Sequence, residues 1–244
     1  MFPSLKKAAW FKGEGGAYFV SRPFFKKVLP TPVEGESVYA RCGVPLFPDK
    51  KFRLACKEVY RLQQQFAYIK KCAGGSVLIT KRTANNRRLG MLHAAFPQAK
   101  FIRLLRDGRD VAHSLSRVDW WDKHTVWWSG KTPIEMERDG EHRLSICARN
   151  WIEENRVIED DLQVVPSDQR LNLRFENLTG NPSAELDRVL SFLNLEMSTE
   201  YSRFLNEFPK TIAVEPAWSK NWTKEESKLV MSLQRPFLEK FQYL

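Results

Sequence analysis

Short apolar runs and helical patterns alternate through the middle of the chain. Residues 77–80 and 101–105 are short, apolar and partly β-branched, which is typical of buried strands. Residues 86–95 between them have the spacing of a helix. The three segments predict a strand–helix–strand unit whose two strands run parallel in one sheet.

The same periodicity predicts longer elements on both sides. Apolar residues recur at helical spacing over 49–72 and over 141–162, and a further helix is expected from Asp110 to about Val118. Residues 171–175 have a strand pattern. The helix over 141–162 should bury one face, formed by Leu144, Cys147, Trp151, Ile158 and Leu162.

Capping signals mark the last two helices. Asn181 and Pro182 supply an N-cap and a first-turn proline for a helix to about Leu193. Residues 223–226, Thr-Lys-Glu-Glu, form a capping box that opens the final helix, which Pro236 should kink or break. The alternation of strands and helices predicts an α/β fold, a parallel sheet covered by helices on both faces in three layers.

Composition sets the size and class of the protein. A chain of 244 residues with 43% hydrophobic content can bury a substantial core, so we expect a single domain over 1–244, in which 1–33 remain unassigned. No apolar run approaches the roughly 20 residues of a membrane helix, and the N-terminus lacks a signal-peptide core. The cysteines are far apart, without a zinc-site spacing. These features predict a cytoplasmic protein without a membrane partner.

The charge balance is strongly basic. A net charge of +10 suits nucleic acid, an anionic membrane surface or a polyanionic small ligand. The basic residues are dispersed in pairs, and no helix-turn-helix, zinc-finger or RNA-binding signature accompanies them. A nucleic-acid partner is therefore supported by charge alone.

Cationic side chains follow both predicted strands. Lys81 comes directly after the first, and Arg106 and Arg109 lie in the turn after the second, where α/β proteins collect ligands. Arg106 and Ser114 can both donate hydrogen bonds to a phosphate monoester. A surface ion pair between Arg106 and Asp110, with a solvated Ser114, explains the same spacing.

Three motifs in order resemble a known family: K-x-x-x-N from Lys81, F-P-x-A-x-F-I from Phe96, and R-D-G-R-x-V-A-x-S from Arg106. They look like the sulfotransferases that use 3′-phosphoadenosine 5′-phosphosulfate, particularly the bacterial branch related to tyrosylprotein sulfotransferases. The similarity runs from Glu34 to the last residue. It implies a P-loop NTPase-like sulfotransferase fold in which Arg106 and Ser114 grip the nucleotide 3′-phosphate, with Arg109 beside them.

The resemblance also implies the chemistry. The chain would transfer a sulfonate, without metal, from the nucleotide donor to a hydroxyl or amine of a small-molecule or peptide acceptor. Lys81 would lie near the transferring sulfonate, and Glu34 would be the base, with Glu36 as a close rival. A solvated lysine at the end of the strand and a solvent-exposed loop carboxylate remain the alternatives for Lys81 and for the base. Further candidates for the base, on pKa grounds alone, are His93, His113, His124 and His142.

Several other residues match family positions without a settled role. Asn85 and Arg88 are explained nearly as well as a helix N-cap and a surface arginine. Arg174 and Glu176 match a strand end where a buried ion pair and substrate contact are equally consistent. Tryptophans that could wall an acceptor pocket or pack in the core are Trp120, Trp121, Trp127 and Trp128.

One family feature is missing from the sequence. Members open with a strand and a glycine-rich R-S-G-T-T loop around the 5′-phosphosulfate, and neither the glycine cluster at 12–16 nor 129–132, Ser-Gly-Lys-Thr, matches it. We therefore expect an N-terminally incomplete domain, an upstream segment carrying that loop, and little activity from these residues alone. The rival functions are a P-loop-related kinase, which would need Mg²⁺, and a non-enzymatic basic protein that binds nucleotide or nucleic acid.

Overall fold

The computed structural model describes residues 36–45, 54–73, 76–199, 201–203 and 216–244. The chain divides into two compact units, Met1–Pro97 and Gln98–Leu244. The expectation of one domain over 1–244 stays a prediction.

The first unit is helical in its described part. Helix α1 spans Glu36–Arg41 and helix α2 spans Cys56–Ala73. A 3₁₀ turn at Thr83–Arg87 precedes helix α3, Leu89–Ala95. The helix predicted over 86–95 is thus split at Arg88, which has φ −133° and ψ 7° and lies outside both pieces. The helix predicted over 49–72 begins at Cys56 in the described residues.

The strand prediction for 77–80 is wrong. No sheet hydrogen bonds are formed there, and the only sheet in the described part of the chain lies in the second unit. Ile79 is 77% exposed, so the run is not buried either. A strand needs a neighbouring strand to satisfy its backbone N–H and C=O groups, and an apolar run alone does not supply one.

The second unit holds a two-stranded parallel sheet. Strand β1 is Phe101–Leu105 and strand β2 is Arg170–Arg174, paired in register from Phe101 with Arg170 to Leu105 with Arg174. The prediction for 101–105 is confirmed, and that for 171–175 is shifted by one residue. The parallel pairing agrees with the α/β fold class in a helix-rich form.

Helices connect the two strands of the second unit and follow the second strand to the end of the described chain. They are α4 (Gly108–Leu115), α5 (Pro133–Arg138), α6 (Arg143–Leu162), α7 (Phe175–Gly180), α8 (Pro182–Leu193), α9 (Ala217–Asn221) and α10 (Lys224–Lys240), with 3₁₀ turns at Asp119–Lys123 and Ser167–Gln169.

Helix α6 forms the centre of the core. All five apolar positions that the sequence places on one face are buried, as expected. Helices α4 and α10 pack against it, and Cys147, Ala148 and Val230 are fully buried at these contacts. Each large apolar side chain buried in this way contributes roughly 1.5–3 kcal/mol. Burial also raises the pKa of the Cys147 thiol to about 12, so that it stays protonated in the core.

The capping predictions are confirmed, and the helix does not break at Pro236. The Asn181 side chain accepts from the Ala184 N–H, and Thr223 and Glu226 form a reciprocal capping box. Helix α10 continues through Pro236, which is exposed, so the lost backbone hydrogen bond faces water. Buried residues on both sides of the proline, Gln234 and Leu238, hold the helix against the core.

Candidate anion-binding site

The turn between β1 and α4 begins with an internal cap. The Asp107 carboxylate accepts the backbone N–H of Arg109 at 2.9 Å and binds the Arg109 guanidinium at 2.7 Å. The Asp107 N–H donates to Glu176 Oε1 at 2.9 Å. Helix α4 therefore begins at Gly108 instead of the expected Asp110, because Asp107 is the N-cap.

Two buried side chains hold the carbonyls of the same turn. The Trp151 indole N–H donates to the Arg106 carbonyl at 3.2 Å, and Gln234 Nε2 donates to the Gly108 carbonyl at 3.0 Å. A Cβ on Gly108 would lie 2.7 Å from both Trp151 and Gln234. Only glycine fits between them, and the turn is rigidly placed by the core.

Arg106 and Ser114 line one cavity of about 320 Å³. The Arg106 guanidinium lies over the Phe175 ring at 4.6 Å, and Ser114 is exposed eight residues later in helix α4. The structure thus brings these two predicted ligands together. The rest of the lining consists of Asp110, His113, Arg117, Val118 and Ala217.

The carboxylate of Asp110 opposes an anion in this cavity. Burial raises its pKa, and this outweighs the nearby Arg106 charge, which lowers it. The backbone N–H of Ala217 donates to the same carboxylate. Asp110 is thus held by the start of α9.

His113 is a buried histidine of the cavity wall. Its Nε2 lies 3.5 Å from Arg117 Nη1, and its ring packs edge-on against Trp222 at 6.0 Å. Burial, aided by the Arg117 charge, lowers the pKa of His113, whereas Asp110 acts in the opposite direction. The imidazole is therefore neutral near pH 7.

Arg109 has internal partners and does not line the cavity. Besides Asp107, its guanidinium donates to the Tyr243 carbonyl at 3.1 Å and lies over the Trp218 ring at 4.6 Å. It joins the turn to the C-terminal segment. Its contact with a nucleotide stays a prediction.

Glu176 and Arg174 do not pair with each other in the described hydrogen bonds and ion pairs. Glu176 accepts the Asp107 N–H and the Tyr243 hydroxyl, the latter at 2.8 Å. Arg174 donates to the carbonyls of Phe241 and Gln242. Burial, with the Glu176 carboxylate, raises the pKa of Tyr243 well above its usual range. Glu176 therefore connects the C-terminal segment to the turn formed by residues 106–108 between β1 and α4, which we call the anion turn.

The four tryptophans have different environments. Trp121 is buried in the core, whereas Trp120 is 62% exposed. The indole N–H of Trp127 donates to Glu154 and that of Trp128 to Asn150, both on helix α6. Trp121 therefore packs in the core, and Trp120 is the most exposed of the four.

Residues 129–132 are not a phosphate loop. Lys131 binds Asp139 at 2.7 Å, and Thr132 caps helix α5 in a box with Glu135. The sequence analysis likewise found that residues 129–132 do not match a phosphate-binding loop.

The first unit carries the other predicted residues. Lys81 is exposed, and Glu36 is the first residue of α1. Glu34 and the glycine cluster at 12–16 lie outside the described residues. The roles of Lys81 and Glu34 stay predictions.

Asn85 and Arg88 differ from both simple explanations. Asn85 lies inside the 3₁₀ turn and donates to the Tyr39 hydroxyl at 3.3 Å, so it is not an N-cap. Arg88 is 0% exposed, donates to the Pro45 carbonyl at 2.7 Å and lies over the Tyr39 ring. The surface-arginine interpretation of Arg88 is therefore wrong. Its stem packs in the interior, and its Nη2 is hydrogen-bonded to a carbonyl.

The sequence analysis did not identify the residues whose hydrogen bonds hold the anion turn in place. Asp107 stands directly before Gly-Arg at a strand-to-helix transition, which is an N-cap signal that could have identified it. Gln234, a polar residue on the buried face of an amphipathic helix, gave a weaker signal. Nothing local indicates that Glu176 and Tyr243 meet, because they are 67 residues apart.

The described residues offer neither a metal-ion cluster nor a membrane-spanning helix. In the described ranges no group of three or more His, Cys, Asp or Glu side chains could hold a metal ion. Among those residues, no helix has the length and apolar character needed to cross a membrane.

Solved structures share the fold at low identity. The sulfotransferase domain from the curacin biosynthetic pathway aligns with a TM-score of 0.52 and 15% identity, over 86% of this chain and 78% of that one. Sulfotransferase STF9 from Mycobacterium avium aligns with a TM-score of 0.53 and 14% identity, over 88% of this chain and 52% of that one. No curated protein sequence matches the chain.

The family assignment rests on a match over most of the chain. Residues 35–199 match the model of the sulfotransferase family, and this range contains both Lys81 and the cavity residues Arg106 and Ser114. The α/β fold class inferred from the sequence agrees with that of the two structures. The chain belongs to the sulfotransferase family and is a sulfotransferase by fold and sequence.

Proposed function

We propose that the protein transfers a sulfonate from 3′-phosphoadenosine 5′-phosphosulfate to a hydroxyl or amine acceptor. The observation that carries the proposal is the shared cavity of Arg106 and Ser114 at the start of helix α4. A guanidinium and a hydroxyl are both hydrogen-bond donors, and the guanidinium keeps its charge at any working pH. This donor set suits the 3′-phosphate that distinguishes the donor nucleotide from ordinary adenine nucleotides.

Hydrogen bonds from other elements preorganise the anion turn for its ligand. The Arg106 and Gly108 carbonyls and the Asp107 N–H are each bound to a different element of the second unit. A phosphate group that enters the cavity therefore meets donors whose backbone is already ordered. Such preorganisation lowers the free-energy cost of binding.

The transfer step needs a cation for the developing charge and a base for the acceptor proton. We assign Lys81 to the charge that develops on the transferring group and Glu34 to the removal of the acceptor proton, with Glu36 as its rival. In the step, the acceptor oxygen or nitrogen forms a bond to sulfur, the bond from sulfur to the phosphate oxygen breaks, and the proton passes to the carboxylate. Adenosine 3′,5′-bisphosphate leaves, and no oxidant or metal is needed to balance the reaction.

The acceptor would be a small molecule or a peptide, and the protein would act in the cytoplasm. The curacin-pathway domain is named for a biosynthetic route. That description applies to the relative, and here it supports a small-molecule acceptor over nucleic acid. The dispersed basic residues point the same way.

A kinase is the rival that the structure disfavours most directly. A P-loop kinase would use a lysine and a threonine on phosphate and Mg²⁺, but Lys131 and Thr132 are engaged with Asp139 and Glu135. A non-enzymatic nucleotide-binding protein would bind the bisphosphate without turnover.

Donor choice tests the proposed function. Titration of the chain with 3′-phosphoadenosine 5′-phosphosulfate and with MgATP, each in competition with a labelled adenosine 3′,5′-bisphosphate, should show much tighter binding of the former. EDTA should leave that binding unchanged. Preferential binding of MgATP would contradict the proposal and favour the kinase.

A further inference from the structure

His113 stands in the wall of the anion cavity without an assigned role. It is 8% exposed and shares the lining with Arg106, Ser114 and Arg117. Helix α4 carries His113 next to Ser114 in the chain, and both reach the same cavity. A side chain that becomes a hydrogen-bond donor when it is protonated on Nε2 therefore lies beside the two predicted phosphate ligands.

The contact with Arg117 defines the protonation state of the imidazole. A guanidinium has only N–H donors, so at 3.5 Å the facing Nε2 of His113 is the acceptor and carries the lone pair. A proton on Nε2 would place two cationic donors face to face. The contact with Arg117 thus favours neutral His113.

Two charged neighbours act on His113 in opposite directions: Arg117 disfavours its protonation and Asp110 favours it. Asp110, one turn earlier on α4, attracts a proton, but its carboxylate is also engaged by the Ala217 N–H. The neighbouring Trp222 presents an uncharged ring edge. Helix α6 packs against α4 and contributes Arg143, which donates to the Ser116 carbonyl and pairs with Asp122 and Glu137. The charge balance at His113 is therefore set by Arg117 and Asp110.

We propose that binding of a phosphate monoester in this cavity is coupled to the uptake of one proton from solvent by His113. The proton adds to Nε2, and the resulting imidazolium N–H donates to a phosphate oxygen while Arg117 turns to the same anion. No other bond is made or broken. This inference rests on the proposed function, because it takes the nucleotide 3′-phosphate as the ligand.

The coupling has a definite pH dependence. Phosphate stabilises the charged imidazole, so His113 has a higher pKa in the complex than in the free protein. Affinity for the bisphosphate should rise as pH falls between those two pKa values, by at most about tenfold per pH unit from this one group. Below the pKa of the free protein the contribution of His113 is constant, and above the pKa of the complex it vanishes.

Calorimetry measures the proton directly. Adenosine 3′,5′-bisphosphate is titrated near pH 7 in two buffers with different ionisation enthalpies, and the difference in heat gives the protons taken up. His113→Gln should take up fewer protons than the unmodified chain, by up to about one per site. The matched control is His124→Gln, which removes an exposed histidine that stacks on Trp121 and does not line the cavity. It should behave as the unmodified chain.

A second measurement keeps the inference testable if His113→Gln does not fold. The NMR titration of the His113 imidazole in the intact chain should show a higher pKa with bisphosphate than without it. An unchanged or lower pKa, or equal proton uptake by His113→Gln, would overturn this inference while a preference for bisphosphate over adenosine 5′-phosphate is retained. Equal affinity for the two nucleotides would overturn the proposed function, and this inference with it.

Discussion

The carboxylate of Glu176 accepts the backbone N–H of Asp107 at 2.9 Å and, through its other oxygen, the hydroxyl of Tyr243 at 2.8 Å. One side chain thus connects the turn that carries Arg106 to the C-terminal segment. Arg109 makes a second link by donating to the Tyr243 carbonyl. We therefore expect the anion turn and the C-terminal segment to unfold together.

Tyr243→Phe tests this connection. The change removes the hydroxyl donor but keeps the ring that packs under Arg174 at 4.4 Å. We expect the free energy of unfolding to fall by about 1–3 kcal/mol, because a half-buried carboxylate loses a charged hydrogen bond. Denaturant unfolding measures it, with Tyr60→Phe on the exposed side of α2 as the control. Equal stability of the two variants would contradict the role of Tyr243.

The same variant should change the alkaline limit of stability. The pKa of Tyr243 is raised in the folded state, so its contribution is complete below the unfolded pKa of about 10 and is lost as pH rises above it. Phenylalanine does not titrate. The stability of Tyr243→Phe should therefore decline less than that of the unmodified chain as pH rises from about 10 to about 11, the lower part of the window between the unfolded and the folded pKa.

Gly108→Ala tests the close packing of the turn. A Cβ at this position would meet Trp151 and Gln234 at 2.7 Å, so we expect a loss of about 1–3 kcal/mol and weaker bisphosphate binding. Gly180→Ala is the matched control, since nothing lies within 4 Å of its Cβ position. Thermal unfolding distinguishes them. If Gly108→Ala unfolds at the temperature of Gly180→Ala, the proposed packing constraint is absent.

Asp110→Asn should strengthen phosphate binding. Its carboxylate lines the cavity and repels an anion there, whereas an asparagine oxygen can still accept the Ala217 N–H. Removing one nearby negative charge at an effective dielectric constant near 20 is worth on the order of 1 kcal/mol or more, or several-fold in affinity. Calorimetry with adenosine 3′,5′-bisphosphate measures the gain. Weaker binding by a folded Asp110→Asn would assign Asp110 a supporting role instead.

Glu34→Gln tests the base in a form of the protein that turns over. Turnover should fall by about two orders of magnitude or more, while nucleotide affinity changes little. Glu36→Gln is the matched variant and should retain most of the rate. A large loss in Glu36→Gln alone would move the role to Glu36, and unaltered rates in both would remove it from this segment.

The sequence allowed correct prediction where local signals agree with tertiary contacts. Strand β1 and the buried face of α6 follow from periodicity, and the caps at Asn181 and Thr223 follow from residue type and spacing. Each of these features is determined within a few residues. Tertiary packing then reinforces the same choice.

The failures share a dependence on distant partners. Residues 77–80 have a strand composition but no strand to pair with among the described residues. Arg88 is charged, yet a carbonyl and the Tyr39 ring hold it in the interior. Pro236 remains helical because its lost hydrogen bond faces solvent. None of these outcomes is encoded in the neighbouring residues.

In the candidate site, too, local spacing was informative and contacts with distant residues were not predictable. The spacing of Arg106 and Ser114 indicated a phosphate cavity, and the structure places both in one cavity. The residues that hold the turn, Trp151, Gln234 and Glu176, come from three other elements, and their contacts with the turn are visible only in the fold.

The most direct test of the account compares two nucleotides that differ only in the 3′-phosphate. Calorimetry should show tighter binding of adenosine 3′,5′-bisphosphate than of adenosine 5′-phosphate. Arg106→Ala should erase most of that preference, since a charged hydrogen bond is worth roughly 1.5–3 kcal/mol, and Ser114→Ala should reduce it less. Arg138→Ala, on α5 and outside the cavity lining, is the control and should keep it. Equal affinity of the unmodified chain for the two nucleotides would contradict the assignment of the cavity to the 3′-phosphate.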